Sequence, residues 1–150
     1  MAGHTERLHL AYSAEQLFDL VADVERYPEF APWVIAARVQ RREGQTIWID
    51  MRLGTSLFNK RFATVARLDR PRRIDITSRD PLLEYFEESW IFEPATEGGT
   101  IVTYQVDFRL RSRALQALIG ASLAERAAAM VGAFRHRARQ IYRASGPSPS

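Results

Sequence analysis

Few side chains in this sequence are equipped for chemistry. The histidines are His4, His9 and His136, and there is no cysteine. Disulfides, thiolate nucleophiles and cysteine-ligated metals are thereby excluded. His4 and His9 stand five residues apart on an expected strand and so point to opposite faces. His136 lies among Arg135, Arg137 and Arg139, which repel a cation, and a metal site is not expected. No serine sits in a Gly-x-Ser-x-Gly elbow. Gly98 and Gly99 lack the following helix that a phosphate loop requires. Among the carboxylates, Glu87 and Glu88 are neighbours on a strand, and alternation with Phe86, Trp90 and Phe92 turns Glu88 inward. A carboxylate on an apolar face can act as a general base with a raised pKa. The commoner arrangement is a rim position or a partnership with an arginine, and that is the expectation here.

What remains is aromatic. Trp33, Phe58, Phe62, Phe86, Trp90, Phe92, Tyr104 and Phe108 are many large rings for one sheet face. Each ring taken alone reads as core. Together, on a curved sheet closed by a helix, they predict an apolar cavity with few polar groups, fit for an isoprenoid, lipid or polycyclic ligand.

The elements that must position these rings follow from periodicity. Residues 5–11 alternate as a first strand. Ser13 and Gln16 have capping-box spacing and open a short helix with Leu17, Leu20, Val21 and Val24 on its apolar face. Tyr27-Pro28 and Ala31-Pro32 end it in an aromatic connector. Period two then takes over in 34–42, 46–53, 57–68, 73–79, 84–93 and 100–110. From Ser112 to about Arg143 the sequence predicts one long helix, about 48 Å at roughly 1.5 Å per residue. Its stripe comprises Leu115, Leu118, Ile119, Leu123, Ala127, Met130, Val131, Phe134, Ala138 and Ile141. The fold class is α+β, a curved antiparallel sheet of six to seven strands wrapped around a long C-terminal helix. Residues 1–145 read as a single ligand-binding domain and 146–150 as a disordered tail.

At 150 residues, 46% hydrophobic and 26% charged, the composition is that of an ordinary globular chain. No stretch approaches eighteen uncharged apolar residues, which excludes a membrane-spanning helix, and residues 1–12 do not read as a secretory signal. Lys60 is the one lysine beside twenty arginines, a codon-bias signature of a GC-rich genome, and the net charge is +3. The arginine clusters read as a solvated surface, with weak contact to an anionic membrane or RNA as the alternative.

The connector Tyr27-Pro28-Glu29-Phe30-Ala31-Pro32-Trp33, the strand Trp90-Ile91-Phe92-Glu93-Pro94, the segment 102–110 and the helix ending at 130–138 resemble the bacterial coenzyme Q-binding protein family. That family belongs to the polyketide cyclase/dehydrase-like branch of the START-related superfamily and has ribosome-association toxin relatives. The resemblance spans about residues 4–142 and implies a helix-grip fold with a hydrophobic tunnel. It implies non-enzymatic binding of ubiquinone in support of respiration, with no cofactor required. Trp90, Phe92, Tyr104 and Phe108 on the sheet, and Leu118, Met130 and Phe134 on the helix, would line the tunnel. Trp33 and Phe62 would stand at its mouth, with Tyr104 as hydrogen-bond donor to a quinone oxygen. A cytoplasmic location, peripheral to the inner membrane, follows; DNA is not an expected partner. Two alternatives share these motifs. One is a toxin-like protein that binds a ribosomal subunit, and the other is an aromatase/cyclase-type enzyme using Glu88 or Tyr104 as acid or base. Two positions depart from the family: Val34 replaces a cysteine common there, and Arg135 replaces an acid.

Overall fold

The computed structural model describes residues 2–55 and 58–142, without the side chains of Ala2, Thr55 and Phe58. The expected tail at 146–150 and the expected ring of Phe58 therefore lie outside the described residues. Seven strands form one antiparallel sheet in the order β1-β7-β6-β5-β4-β3-β2. They are β1 (Ala2–Leu10), β2 (Val34–Glu43), β3 (Thr46–Thr55), β4 (Phe58–Asp69), β5 (Arg73–Ser78), β6 (Leu83–Pro94) and β7 (Thr100–Leu110). Strands β2 to β7 form a meander, and β1 joins the far edge beside β7.

Helix α1 (Ala14–Ala22) fills the crossover from β1 to β2. Its start is specified by the expected capping box. Ser13 Oγ accepts from the Gln16 amide at 3.1 Å, and Gln16 Oε1 accepts from the Ser13 amide at 3.0 Å. The apolar face that follows buries Leu17, Phe18, Leu20 and Val21. A 3₁₀ segment, Val24–Glu29, leads into the connector. There Trp33 takes a left-handed backbone with φ 65°, unusual for a bulky residue, and its carbonyl accepts from the Gly54 amide at 2.8 Å. At the opposite end of the sheet, Gly99 (φ 74°) makes the turn into β7, where a Cβ would collide with the backbone of Leu10.

The expected single C-terminal helix is instead two: α2 (Arg113–Ala121) and α3 (Leu123–Ile141), bent by 57°. The break falls on a Gly/Ser pair, Gly120 and Ser122, a common cause of sharp kinks. Ser122 has φ −113° and ψ 12°, outside helical geometry. Its amide turns back to the Ile119 carbonyl, and its Oγ accepts from Arg126 Nε at 2.8 Å. The stripe survives in α3, which buries Leu123, Ala127, Val131, Phe134 and Ala138. In α2 Leu115 and Ile119 pack half-buried against the core, but the stripe fails at Leu118, 68% exposed, and at Ile141, 47% exposed. The bend turns the phase of α2 away from that of α3.

The helices divide the concave face into two halves. Helix α1 packs on β5 and β6, α3 on β1 and α1, and α2 on β7 and α3. Under α1 and α3 the core is sealed by Leu17, Phe18, Phe92, Val102 and Ala138. The concave side of β3 and β4 lies beyond that cover, and the space between them and the helices stays hollow.

Candidate functional site

The hollow half is a cavity of about 270 Å³. Strands β3 to β5 contribute Ile49, Met51, Leu53, Phe62, Thr64, Ile76 and Ser78 to its wall. Strands β6 and β7 add Leu83, Phe86, Glu88, Trp90, Tyr104, Val106, Phe108 and Leu110. The cover is Val24, Tyr27 and Trp33 before β2, Val34 at its start, Ile119 on α2, and Leu123, Arg126, Ala127, Met130 and Phe134 on α3. Period two explains the sheet contribution. In β7 the buried residues are Thr100, Val102, Tyr104, Val106, Phe108 and Leu110, every second position.

Phe134 organises the cover. Its ring meets Tyr27 at 5.1 Å, Phe30 at 4.9 Å and Trp90 at 4.9 Å, the first two edge-on. Trp90 in turn packs on Tyr104 at 4.6 Å. Arg126 stands over the Trp33 ring at 5.3 Å, a cation–π contact at the cavity wall.

Against this apolar lining stands one carboxylate. Glu88 Oε2 accepts a hydrogen bond from the Tyr104 hydroxyl. Glu88 is half-buried and lines the cavity. Burial pushes its carboxyl from 4.5 up to about 6, against the opposing pull of the Tyr104 bond. Tyr104 is raised well above 10 by burial and by Glu88. Tyr27 is raised likewise, chiefly by burial, and its hydroxyl donates to the Val21 carbonyl. Both phenols therefore stay neutral at physiological pH.

Seven of the nine residues expected at the site line the cavity: Trp33, Phe62, Trp90, Tyr104, Phe108, Met130 and Phe134. Phe92 does not. It is 2% exposed, edge-on to Phe18 at 6.0 Å in the sealed half. Alternation placed it on the correct face, but α1 covers that end of β6. Leu118 does not either, because it faces outward on α2. Glu88 is inward as expected, but its partner is Tyr104 rather than an arginine. The Tyr104 proton is consequently committed to Glu88 and is not free for a ligand. Glu88 faces Val106 across the β6–β7 ladder and Trp90 faces Tyr104, so Glu88 and Tyr104 are diagonal neighbours. The register implied by the Glu97-Gly98-Gly99 turn was the signal for that pair. Arg126 was missed because its place in the wall depends on the kink. Among the described residues no group of three or more metal-ligating side chains converges. His4 is bonded to Glu6 at 2.7 Å and His9 to the Gly98 carbonyl at 2.8 Å.

A curved antiparallel sheet closed by C-terminal helices round an apolar cavity defines a START-like, helix-grip protein. The fold is shared with the Zhui aromatase/cyclase from Streptomyces sp., at TM-score 0.84 and 15% identity over 97% of this chain and 98% of that one. The chain belongs to the family described as polyketide cyclase / dehydrase and lipid transport, which matches residues 10–135. It is 30% identical to the ribosome association toxin RatA of Pseudomonas aeruginosa over 143 residues, covering 95% of this chain and 99% of the relative. It is 26% identical over 145 residues to the mitochondrial coenzyme Q-binding protein COQ10 homolog B of Xenopus laevis, covering 93% of this chain and 59% of that protein. Among the described residues no single helix is long and apolar enough to cross a membrane.

Proposed function

We propose that this protein binds ubiquinone, or a closely similar prenylated ring, in its cavity and carries it without transforming it. The observation that carries this reading is the cavity itself: about 270 Å³, walled chiefly by hydrocarbon and rings, with the Glu88–Tyr104 pair, Thr64, Ser78 and Arg126 as its polar groups. A substituted aromatic head fits beside Trp90 and Phe108, and the first isoprenoid units would extend between Met51, Phe62 and Met130. Each methylene buried contributes about 0.8 kcal/mol, so tight binding needs little polar recognition. The coenzyme Q-binding name of the Xenopus relative supports the ligand class. No cofactor is required. The proposed location is cytoplasmic, peripheral to the inner membrane. Ile119 brings α2 to the cavity, with Leu118 exposed beside it and Arg111 and Arg113 at its start. That combination suits contact with an anionic bilayer while the ligand crosses. The test is a titration of the purified protein with short-tailed ubiquinone, read by quenching of tryptophan fluorescence. Saturable quenching is expected, reduced at least tenfold in Ile76→Trp, whose larger ring would occupy the cavity. Absence of quenching, or equal quenching in that folded variant, would overturn the reading.

A second reading, binding to a ribosomal subunit, has its own observation. On the outer face of β2 to β4, Arg38, Arg41, Arg52, Arg61 and Arg67 surround Trp48, with Arg41 over its ring at 4.7 Å. The acids among them are Asp50, paired with Arg61, and Glu43, paired with Arg41. Such a surface fits RNA phosphates with a stacked base. Co-sedimentation with ribosomal subunits should then fall steeply with salt and be lost in Arg38→Glu/Arg67→Glu; retention in that double variant would exclude this face.

A further inference from the structure

Glu88 projects from β6 into the cavity and makes no ion pair among the described residues. The titratable and charged groups around it are Tyr104 on β7, Tyr27 on the 3₁₀ segment and Arg126 on α3. β5 faces it with Ile76, its partner across the ladder. Arg126 is held by the Trp33 ring and by Ser122. Among the described residues the Tyr104 hydroxyl is the one donor to the Glu88 side chain. An ionised carboxylate offers about four lone-pair sites, so most of its accepting capacity is unused and faces the cavity. Meanwhile both phenolic protons are spent, that of Tyr104 on Glu88 and that of Tyr27 on the Val21 carbonyl. Beside Glu88, then, neither phenol keeps a free proton; the other polar groups of the wall are Thr64, Ser78, whose hydroxyl donates to the Ala63 carbonyl, and Arg126, whose Nε donates to Ser122.

We propose that the cavity holds the reduced, hydroquinone form of its ligand in preference to the quinone, with Glu88 accepting a hydrogen bond from a phenolic hydroxyl. This rests on the quinone reading above and specifies the redox form. A quinone carbonyl only accepts, and directly opposite an ionised carboxylate it sets lone pair against lone pair. A hydroquinone hydroxyl donates, and a hydrogen bond to a charged, desolvated acceptor is among the strong ones. Protonating Glu88 reverses the logic, since a neutral carboxyl donates to a carbonyl. With the carboxyl held up to about 6, the selectivity favours hydroquinone at neutral pH and fades toward pH 5. No bond is made or broken in the ligand; the protein partitions two forms supplied by other redox chemistry.

The experiment measures dissociation constants of the full chain for short-tailed ubiquinol, kept reduced under argon, and for the matching ubiquinone, from pH 5 to pH 8. Wild type should bind ubiquinol roughly tenfold tighter than ubiquinone at pH 7.5, with the ratio collapsing at pH 5. A tenfold preference would raise the potential of the bound two-electron couple by about 30 mV. In Glu88→Gln, whose amide oxygen still accepts from Tyr104, the two forms should bind within about threefold of each other, with no dependence on pH. Equal affinities in wild type at pH 7.5, or an unchanged preference in the variant, overturn this inference and leave quinone binding standing. Failure of wild type to bind either form overturns the quinone reading and this inference with it. Should Glu88→Gln not fold, the pH profile of wild type decides alone: a preference that is flat with pH refutes a role for the carboxyl.

Discussion

Replacing Glu88 by Gln should stabilise the ligand-free protein at neutral pH and leave it little changed in acid. The carboxyl is raised from 4.5 to about 6 in the folded chain. Between those values the folded state binds more protons than the unfolded one, so stability falls as pH rises through this window. At about 1.4 kcal/mol per pH unit, the full loss approaches roughly 2 kcal/mol and is complete near pH 7. Glutamine has no proton to lose, and its side-chain oxygen can take the same Tyr104 bond. The difference in unfolding free energy between variant and wild type should therefore grow by up to about 2 kcal/mol from pH 4.5 to pH 7.5. In melting temperature this is roughly 4–8 °C for a chain of this length. Urea denaturation at half-unit pH steps measures it. A difference that does not vary with pH, or that shrinks as pH rises, would refute a buried carboxyl with a raised pKa, and with it the electrostatic picture of the cavity.

Other substitutions probe where residues sit. Phe92→Ala should cost about 3–5 kcal/mol in urea denaturation because its ring is sealed against Phe18, whereas Leu118→Ser should stay within about 0.5 kcal/mol. Similar costs for the two would contradict the split of the concave face. Ser13→Ala should lose about 1 kcal/mol by the same assay, through the cap of α1; no loss would place the start of the helix elsewhere. Leu118→Asp should leave ligand affinity in solution unchanged but weaken co-flotation with anionic vesicles. Unchanged flotation would remove α2 from any membrane contact.

Much of the fold was legible because it is encoded locally. The alternation of Val102, Tyr104, Val106 and Phe108 sets the inner face of β7 whatever its neighbours are. The box at Ser13 and Gln16 closes within one turn of helix. The C-terminal helix was harder, since a stripe at spacings of three and four continues across Gly120 and Ser122 even though the axis bends there. Periodicity records which face is apolar and not whether the axis is straight. For the site, face membership was readable but cover was not. Trp90 and Phe92 share a face of β6, yet one lines the cavity and the other lies under α1. Glu88 and Tyr104 sit sixteen residues apart in sequence, and only the register across β6 and β7 brings them together. Arg126 depends on the kink for its position over Trp33.

Whether the cavity holds a prenylated quinone in a form selected by Glu88 and Tyr104 can be read by organic extraction of the freshly purified protein under argon, followed by mass spectrometry. The structure leads us to expect a near-stoichiometric ubiquinone-type molecule, recovered largely reduced at neutral pH and absent from the cavity-filled Ile76→Trp protein. An empty extract, together with no uptake of added quinone or quinol, would contradict the claim and turn attention to the arginine-rich outer face of β2 to β4.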